Sequence, residues 1–204
     1  MAKYRTGNRR IGSIFIAVAC LAVAGAIGWS VFGRHADSRA SNAPADGTET
    51  TGSLGKSEKA VGPSGLLIPR FVSLKAEKVN VRRGPSSDHP VAWVFQRKGL
   101  PVEIVAESEN WRRIRDSDGE EGWILQNMLT GKRTAVVAPW RAGKTMPLHT
   151  AASKDSGLVA KLSADVVGDV DSCTGEWCEI TVGGYSGWIE QTMLWGVYPG
   201  EVVD

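Results

Sequence analysis

From Val79 onward the apolar residues of this chain come in short runs, each closed by residues that favour turns. Val79-Asn80-Val81 leads into Gly84-Pro85-Ser86-Ser87-Asp88, Val91 to Phe95 is separated from Val102 to Val105 by Lys98-Gly99, and Trp111 to Arg115 is entered through Ser108-Glu109-Asn110. Asp116-Ser117-Asp118-Gly119 is a hairpin signal, because Asp and Gly tolerate the positive φ of tight turns. Trp123-Ile124-Leu125 forms a last strand, and Gln126 to Leu129 a short helical turn. No window sustains the apolar spacing of an amphipathic helix, about 3.6 residues. Short strands at this density predict an all-β module, a small barrel or two orthogonal sheets.

The same plan returns farther along. Gly122-Trp123-Ile124-Leu125-Gln126-Asn127-Met128-Leu129 recurs as Gly187-Trp188-Ile189-Glu190-Gln191-Thr192-Met193-Leu194, and Trp111-Arg112-Arg113-Ile114 recurs as Trp177-Cys178-Glu179-Ile180. Self-similarity at a fixed offset means one unit used twice. A unit of this length can stand as a small domain of its own. The expected modules span residues 70–132 and 136–198. In the second, Met146 to His149 replaces Asn80 to Arg82, Ala164 to Val170 replaces the strand around Ile104, and Thr174-Gly175-Glu176 and Gly183 to Ser186 supply turns.

Ahead of the modules the pattern changes. Residues 1–10 carry Lys3, Arg5, Arg9 and Arg10, and an uncharged run extends from Ile11 to Phe32. As a helix that run would cross a hydrocarbon core of ~30 Å. Ala24-Gly25-Ala26 would also serve as a signal-peptide cleavage site, but the length of the run and Trp29 to Phe32 beyond it favour an uncleaved anchor. Either way the basic residues stay cytoplasmic and everything after Phe32 is exported, to the periplasmic side of the inner membrane. Cys20 reads as a small apolar residue within that helix. Residues 33–65 are rich in Ser, Ala, Gly, Thr and Asp without aromatics, the composition of a disordered linker, with order beginning near Leu66.

Charge separates the two copies. The chain carries 24 basic and 22 acidic side chains overall. Arg70 to Arg133 holds twelve basic against nine acidic residues, and Thr134 to the end four against nine. So mild an asymmetry is too weak to suggest nucleic acid as a partner, and none is expected. It is compatible with a basic first module docking on an acidic second one.

The order of these elements resembles an SH3 barrel, and Val79-Asn80-Val81-Arg82-Arg83-Gly84-Pro85-Ser86 resembles the opening motif of bacterial SH3 domains. Duplicated Trp and Gly-Trp-Ile elements at barrel spacing extend the resemblance from about Phe71 to Gly196. It implies an exported, membrane-tethered tandem SH3 protein whose modules bind and do not catalyse. Cell-wall peptides of peptidoglycan, or other envelope proteins, are the implied partners. Trp111 stands where eukaryotic relatives carry a groove Trp, while Leu125 and Met128 replace the groove's Pro and Tyr. In the second copy Leu148 to Ala151 replaces Val81 to Gly84, so the first module is the expected reader.

Site chemistry rests on few residues. Arg82, Arg83 and Arg112 beside Trp111 would grip a carboxylate by paired hydrogen bonds, or else form a solvated face balanced by Glu103, Glu107 and Glu109. Cys173 and Cys178 bracket a tight hairpin, across which Cα atoms about 5–6 Å apart favour a disulfide. Export permits the bond, and the second module offers only His149 toward a metal site. Gly122, Trp123, Gly187 and Trp188 read as structural, the two Trp packing their barrels. His35, His89 and His149 are scattered, with no Ser/His/Asp or Cys/His set and no phosphate loop. The reading is therefore a binder without cofactor or metal; the alternatives are an envelope adaptor or scaffold, or two modules packed on each other with the groove buried.

Overall fold

The computed structural model describes residues 59–204 together with Lys3–Tyr4. The segment 11–32 and most of 33–65 lie outside the described residues. Lys3–Tyr4 (β1) is a two-residue strand paired antiparallel with the outer edge of the first module. Among the described residues the only helical elements are 3-10 turns at Gln126–Met128 and Gln191–Met193, and no helix is long and apolar enough to cross a membrane.

The first module is built from β4 (Arg70–Leu74), β5 (Lys78–Arg82), β6 (Val91–Gln96), β7 (Pro101–Ser108), β8 (Trp111–Arg115), β9 (Glu121–Leu125) and β10 (Leu129–Thr130). Its sheet runs β1-β6-β5-β9-β8-β7-β4-β10, antiparallel at each pairing. Alternation puts Val79 and Val81, Trp93 and Phe95, Val102 and Ile104, and Ile114 and Ile124 into one core. Bulges between Val81 and Arg82 and between Ile104 and Ala106 let the sheet turn on itself.

The second module repeats the scheme with β11 (Thr134–Val137), β12 (Thr145–His149), β13 (Leu158–Ser163), β14 (Val167–Thr174), β15 (Trp177–Val182), β16 (Tyr185–Glu190) and β17 (Leu194–Trp195). A last strand, β18 (Val202–Val203), pairs with the end of β14. Leu148, Ile180, Ile189 and the two cysteines are fully buried in its core. The strand expected over Ala164 to Val170 begins only at Val167, because Asp165 takes a left-handed turn at φ 68°.

Order begins earlier than the composition of 33–65 predicts. β2 (Ala60–Val61) and β3 (Leu67–Ile68) form a hairpin whose first strand lies inside the expected linker. Glu107 on β7 supplies the reason: it accepts hydrogen bonds from the backbone N and Oγ of Ser64, both at 2.8 Å, and so ties the hairpin to the barrel.

The two modules pack directly on each other. Thr134, buried just past the short connector, shares a 2.6 Å hydrogen bond with Ser73 Oγ and donates to the carbonyl of Gly99. Phe71 packs edge-on against Trp195, with centroids 5.2 Å apart, and against Tyr198 at 4.7 Å. Tyr198 donates its phenol proton to Glu103 at 3.0 Å. Burial, and then the neighbouring Glu103 carboxylate, push the Tyr198 phenol far above its ordinary range, so it remains a donor.

Candidate functional site

The four residues expected to form a ligand site in the first module are divided between two faces of the sheet. Trp111 and Arg112 are consecutive on β8 and point to opposite sides. Both are buried, at 9% and 7% exposure. Every guanidinium nitrogen of Arg112 has an internal partner: Nε lies 3.2 Å from Glu107 Oε1, Nη1 donates to the carbonyls of Glu109 and Trp111, and Nη2 donates to Gln126 Oε1. The expected carboxylate grip is thus taken up by Glu107. Arg82 donates to the carbonyl of His89 at 2.6 Å, which closes the opener loop, and Arg83 stays exposed.

Gly122 and Gly187 are buried where strands approach closely. A Cβ at Gly187 would lie 2.6 Å from the carbonyl oxygen of His149, and one at Gly122 would meet Val81. The two Trp do not pack the barrels as expected. Ile124 and Ile189 fill the cores, and alternation turns Trp123 and Trp188 to the outer face, where they are half-buried. Trp123 there stands in register between Arg82 and Arg113, whereas Trp188 stands between His149 and Glu179. The charge difference between the copies is written across this one row.

Cys173 and Cys178 form a disulfide between residues directly opposite on β14 and β15. Their Cα atoms are 4.0 Å apart, closer than the expected span, because the two residues stand directly opposite each other on paired antiparallel strands. Val203 of β18 pairs with Cys173, so the bonded hairpin also carries the C-terminal strand.

The second barrel holds an open groove of about 220 Å³ that the sequence reading did not assign. Met146 and Ile189 form a buried floor, and Pro147, His149, Arg141 and Glu190 form the walls and mouth. His149 sits edge-on to Trp177 with centroids 5.6 Å apart. At the mouth Lys154, from the opener loop, reaches Glu190 Oε1 at 2.6 Å, and this contact holds the ammonium pKa above its ordinary value. Arg141 has no ion pair among the described residues. The signal for this groove was present in the repeat, where Glu190 replaces Leu125.

A second cleft, about 460 Å³, lies between Leu66, Phe71, Ile104, Leu129 and Gly131. Its polar walls are committed, since Arg70 is bound to Glu107 at 2.7 Å and Arg112 to Gln126. Among the described residues no cluster of His, Cys, Asp or Glu is arranged to hold a metal ion.

The bacterial SH3 domain model matches this chain twice, at residues 75–131 and 142–196. Among solved structures, NlpC1 from Trichomonas vaginalis is similar at 15% identity and a TM-score of 0.31, over 70% of this chain and 48% of that one. NlpC2 from the same organism aligns at 14% identity and a TM-score of 0.29, over 62% and 48%. The chain thus spans about half the length of those proteins. None of the curated proteins matches it.

Proposed function

We propose that this chain, which belongs to the bacterial SH3 domain family, is a non-catalytic protein of the bacterial cell envelope that reads cell-wall peptide with its second barrel. Family membership supports a binding role in general. The observation that carries the specific reading is the groove at Met146, His149 and Glu190, with an apolar floor and charged groups at its mouth. Small peptides bind in such concave, mostly apolar sites with a few placed polar groups. The first barrel offers no comparable site at the matching strand, where Leu125 is exposed and Arg112 is internal. Its part in this reading is to hold the second barrel through Phe71, Ser73 and Glu103.

Co-sedimentation of the full chain with purified peptidoglycan sacculi tests the reading. Wild type and Arg83→Glu are expected in the pellet, and Pro147→Glu, an exposed change on the groove wall, in the supernatant. Wild type left in the supernatant would sink the reading, and loss with Arg83→Glu alone would transfer it to the first barrel.

The tether belongs to the same proposal, with residues 11–32 anchoring the chain and both barrels on the periplasmic side. A spanning segment there and the pairing of Lys3–Tyr4 with β6 exclude each other in one molecule. A Tyr4→Cys thiol is therefore expected to resist an impermeant reagent in intact cells and to react after permeabilisation. Labelling in intact cells overturns the anchor.

An adaptor role has one observation in its favour: Val61, Leu66 and Leu67 are exposed together on the hairpin ahead of the first barrel. Protein partners retained from detergent-solubilised envelope by wild type, and lost with Leu66→Asp, would establish it.

A further inference from the structure

The mouth of the second barrel's groove already holds a ligand-like group. Lys154 Nζ sits 2.6 Å from Glu190 Oε1, yet the lysine side chain is 74% exposed and the glutamate 32%. The lysine arrives from the loop between β12 and β13, which is pinned by Thr150 donating to the Gly157 carbonyl and by Ser156 bonding Ala151 and Ser153. Glu190 is held differently, on the rigid end of β16, opposite Trp177 in register. The acceptor is thus fixed by the sheet, and the ammonium is carried on a long, solvated side chain. An ion pair this exposed contributes little to stability, so an incoming ammonium can replace Lys154 at small cost.

Two further groups define what else the site takes. Met146 and Ile189 offer an apolar floor beneath Glu190, which suits the methylene stem of a long cationic side chain. Arg141 lines the same groove without an ion pair among the described residues, and its planar fork suits a carboxylate. We propose that this groove binds a short peptide bearing a side-chain ammonium and a free carboxylate, with Glu190 taking the ammonium, Arg141 the carboxylate, and Lys154 the internal competitor that the ligand displaces. This rests on the reading of the groove as a cell-wall peptide site and names the ligand chemistry within it. Stem peptides built around a diamino acid carry both groups.

Titration calorimetry of the full chain in detergent tests it with the tetrapeptide Ala-Glu-Lys-Ala, its lysine-acetylated form and its C-terminally amidated form. Acetylation is expected to weaken binding roughly tenfold, the loss of one charge-assisted hydrogen bond. Glu190→Gln should bind the free and acetylated peptides alike, and Arg141→Ala should bind the carboxylate and amide forms alike. Lys154→Ala should bind the free peptide several-fold more tightly than wild type, because it removes the competitor. Equal binding of free and acetylated peptide to wild type, or unchanged or weaker binding by Lys154→Ala, overturns the proposal. If no tetrapeptide binds while the chain still sediments with sacculi, the ligand assignment fails and the cell-wall reading survives; failure to sediment removes both.

Discussion

Arg112 faces Glu107 across the β7–β8 hairpin, Nε to Oε1 at 3.2 Å, at the register position that the Cys173–Cys178 disulfide occupies in the second barrel. One fold position is closed by an ion pair in one copy and by a covalent bond in the other. In each copy the same position also receives a terminal segment: Ser64 and its hairpin at Glu107, and β18 at Cys173. At this position the repeats diverge where each barrel meets chain outside itself. The glutamine that follows each Gly-Trp-Ile strand diverges likewise. Gln126 accepts from Arg112, whereas Gln191 donates to the carbonyls of Tyr198 and Glu201 and holds the C-terminal tail.

Equivalence of these positions predicts that a second disulfide can be built. Glu107→Cys combined with Arg112→Cys places two thiols on directly opposed residues of an antiparallel pair, where β-carbon separation suits the bond. After oxidation all four barrel cysteines should resist thiol alkylation. Free thiols at positions 107 and 112 under those conditions would show that the two hairpins are not interchangeable.

Removing the native bond has a bounded cost. The closed loop is short, so Cys173→Ala with Cys178→Ala should lower stability by roughly 2 kcal/mol by loop-closure reasoning. Thermal unfolding of wild type should shift downward on adding reductant, and that of the double variant should not respond. Because Val203 pairs with Cys173, amide exchange at Val202 and Val203 should rise in the double variant ahead of exchange in β15.

Acid should loosen both ends of the described region. Burial alone would raise the Glu107 pKa, but hydrogen bonds from Ser64 and Arg70 and the charge of Arg112 outweigh it and hold the carboxyl below its ordinary 4.5. Glu201 is likewise lowered, burial being outweighed by hydrogen bonds from Arg133 and the Tyr198 amide. A carboxyl with a depressed folded pKa stabilises the fold above its unfolded pKa, and the gain disappears as pH falls through the folded value. Unfolding temperature should therefore be insensitive to these groups near neutrality and fall below about pH 4.5. Glu107→Gln should destabilise at pH 7 by about 1–3 kcal/mol and flatten part of the acid fall. An unchanged acid profile in that variant would remove Glu107 from the account.

The clearest strand signals in the sequence come from strands with one solvated face. Lys78–Arg82 and Thr145–His149 alternate cleanly, and the hairpin at Asp116 to Gly119 follows from its turn residues. β4 and β11 escaped notice because both their faces are buried, one in a barrel and one at the junction, so Phe71 to Leu74 and Thr134 to Val137 carry no period-two signal. Arg112 misled for a related reason. A charged residue reads as surface from its type alone, and only the cross-strand partner Glu107 reveals that it is interior. The groove was legible in principle, since Glu190 is an acidic residue at a position that is apolar in the other copy.

The repeated glycines give the sharpest contrast between tolerant and intolerant positions. At Gly187 an added methyl would lie 2.6 Å from the His149 carbonyl oxygen and 2.9 Å from Leu148 Cγ. The carbonyl cannot retreat without parting β12 from β16, which meet only at His149 and Trp188. At Gly122 the tightest neighbour is a Val81 methyl, and the carbonyl of Arg82 stands farther off at 3.1 Å. Gly131, in the connector, has nothing within 4 Å of a built Cβ. Gly187→Ala should thus cost about 2–3 kcal/mol and Gly122→Ala about 1–2 kcal/mol, with Gly131→Ala within about 0.5 kcal/mol of wild type. Chemical denaturation of the three single variants measures the order directly. Because His149 lines the groove, Gly187→Ala should also lose retention on sacculi under conditions where it remains folded, while Gly122→Ala keeps it.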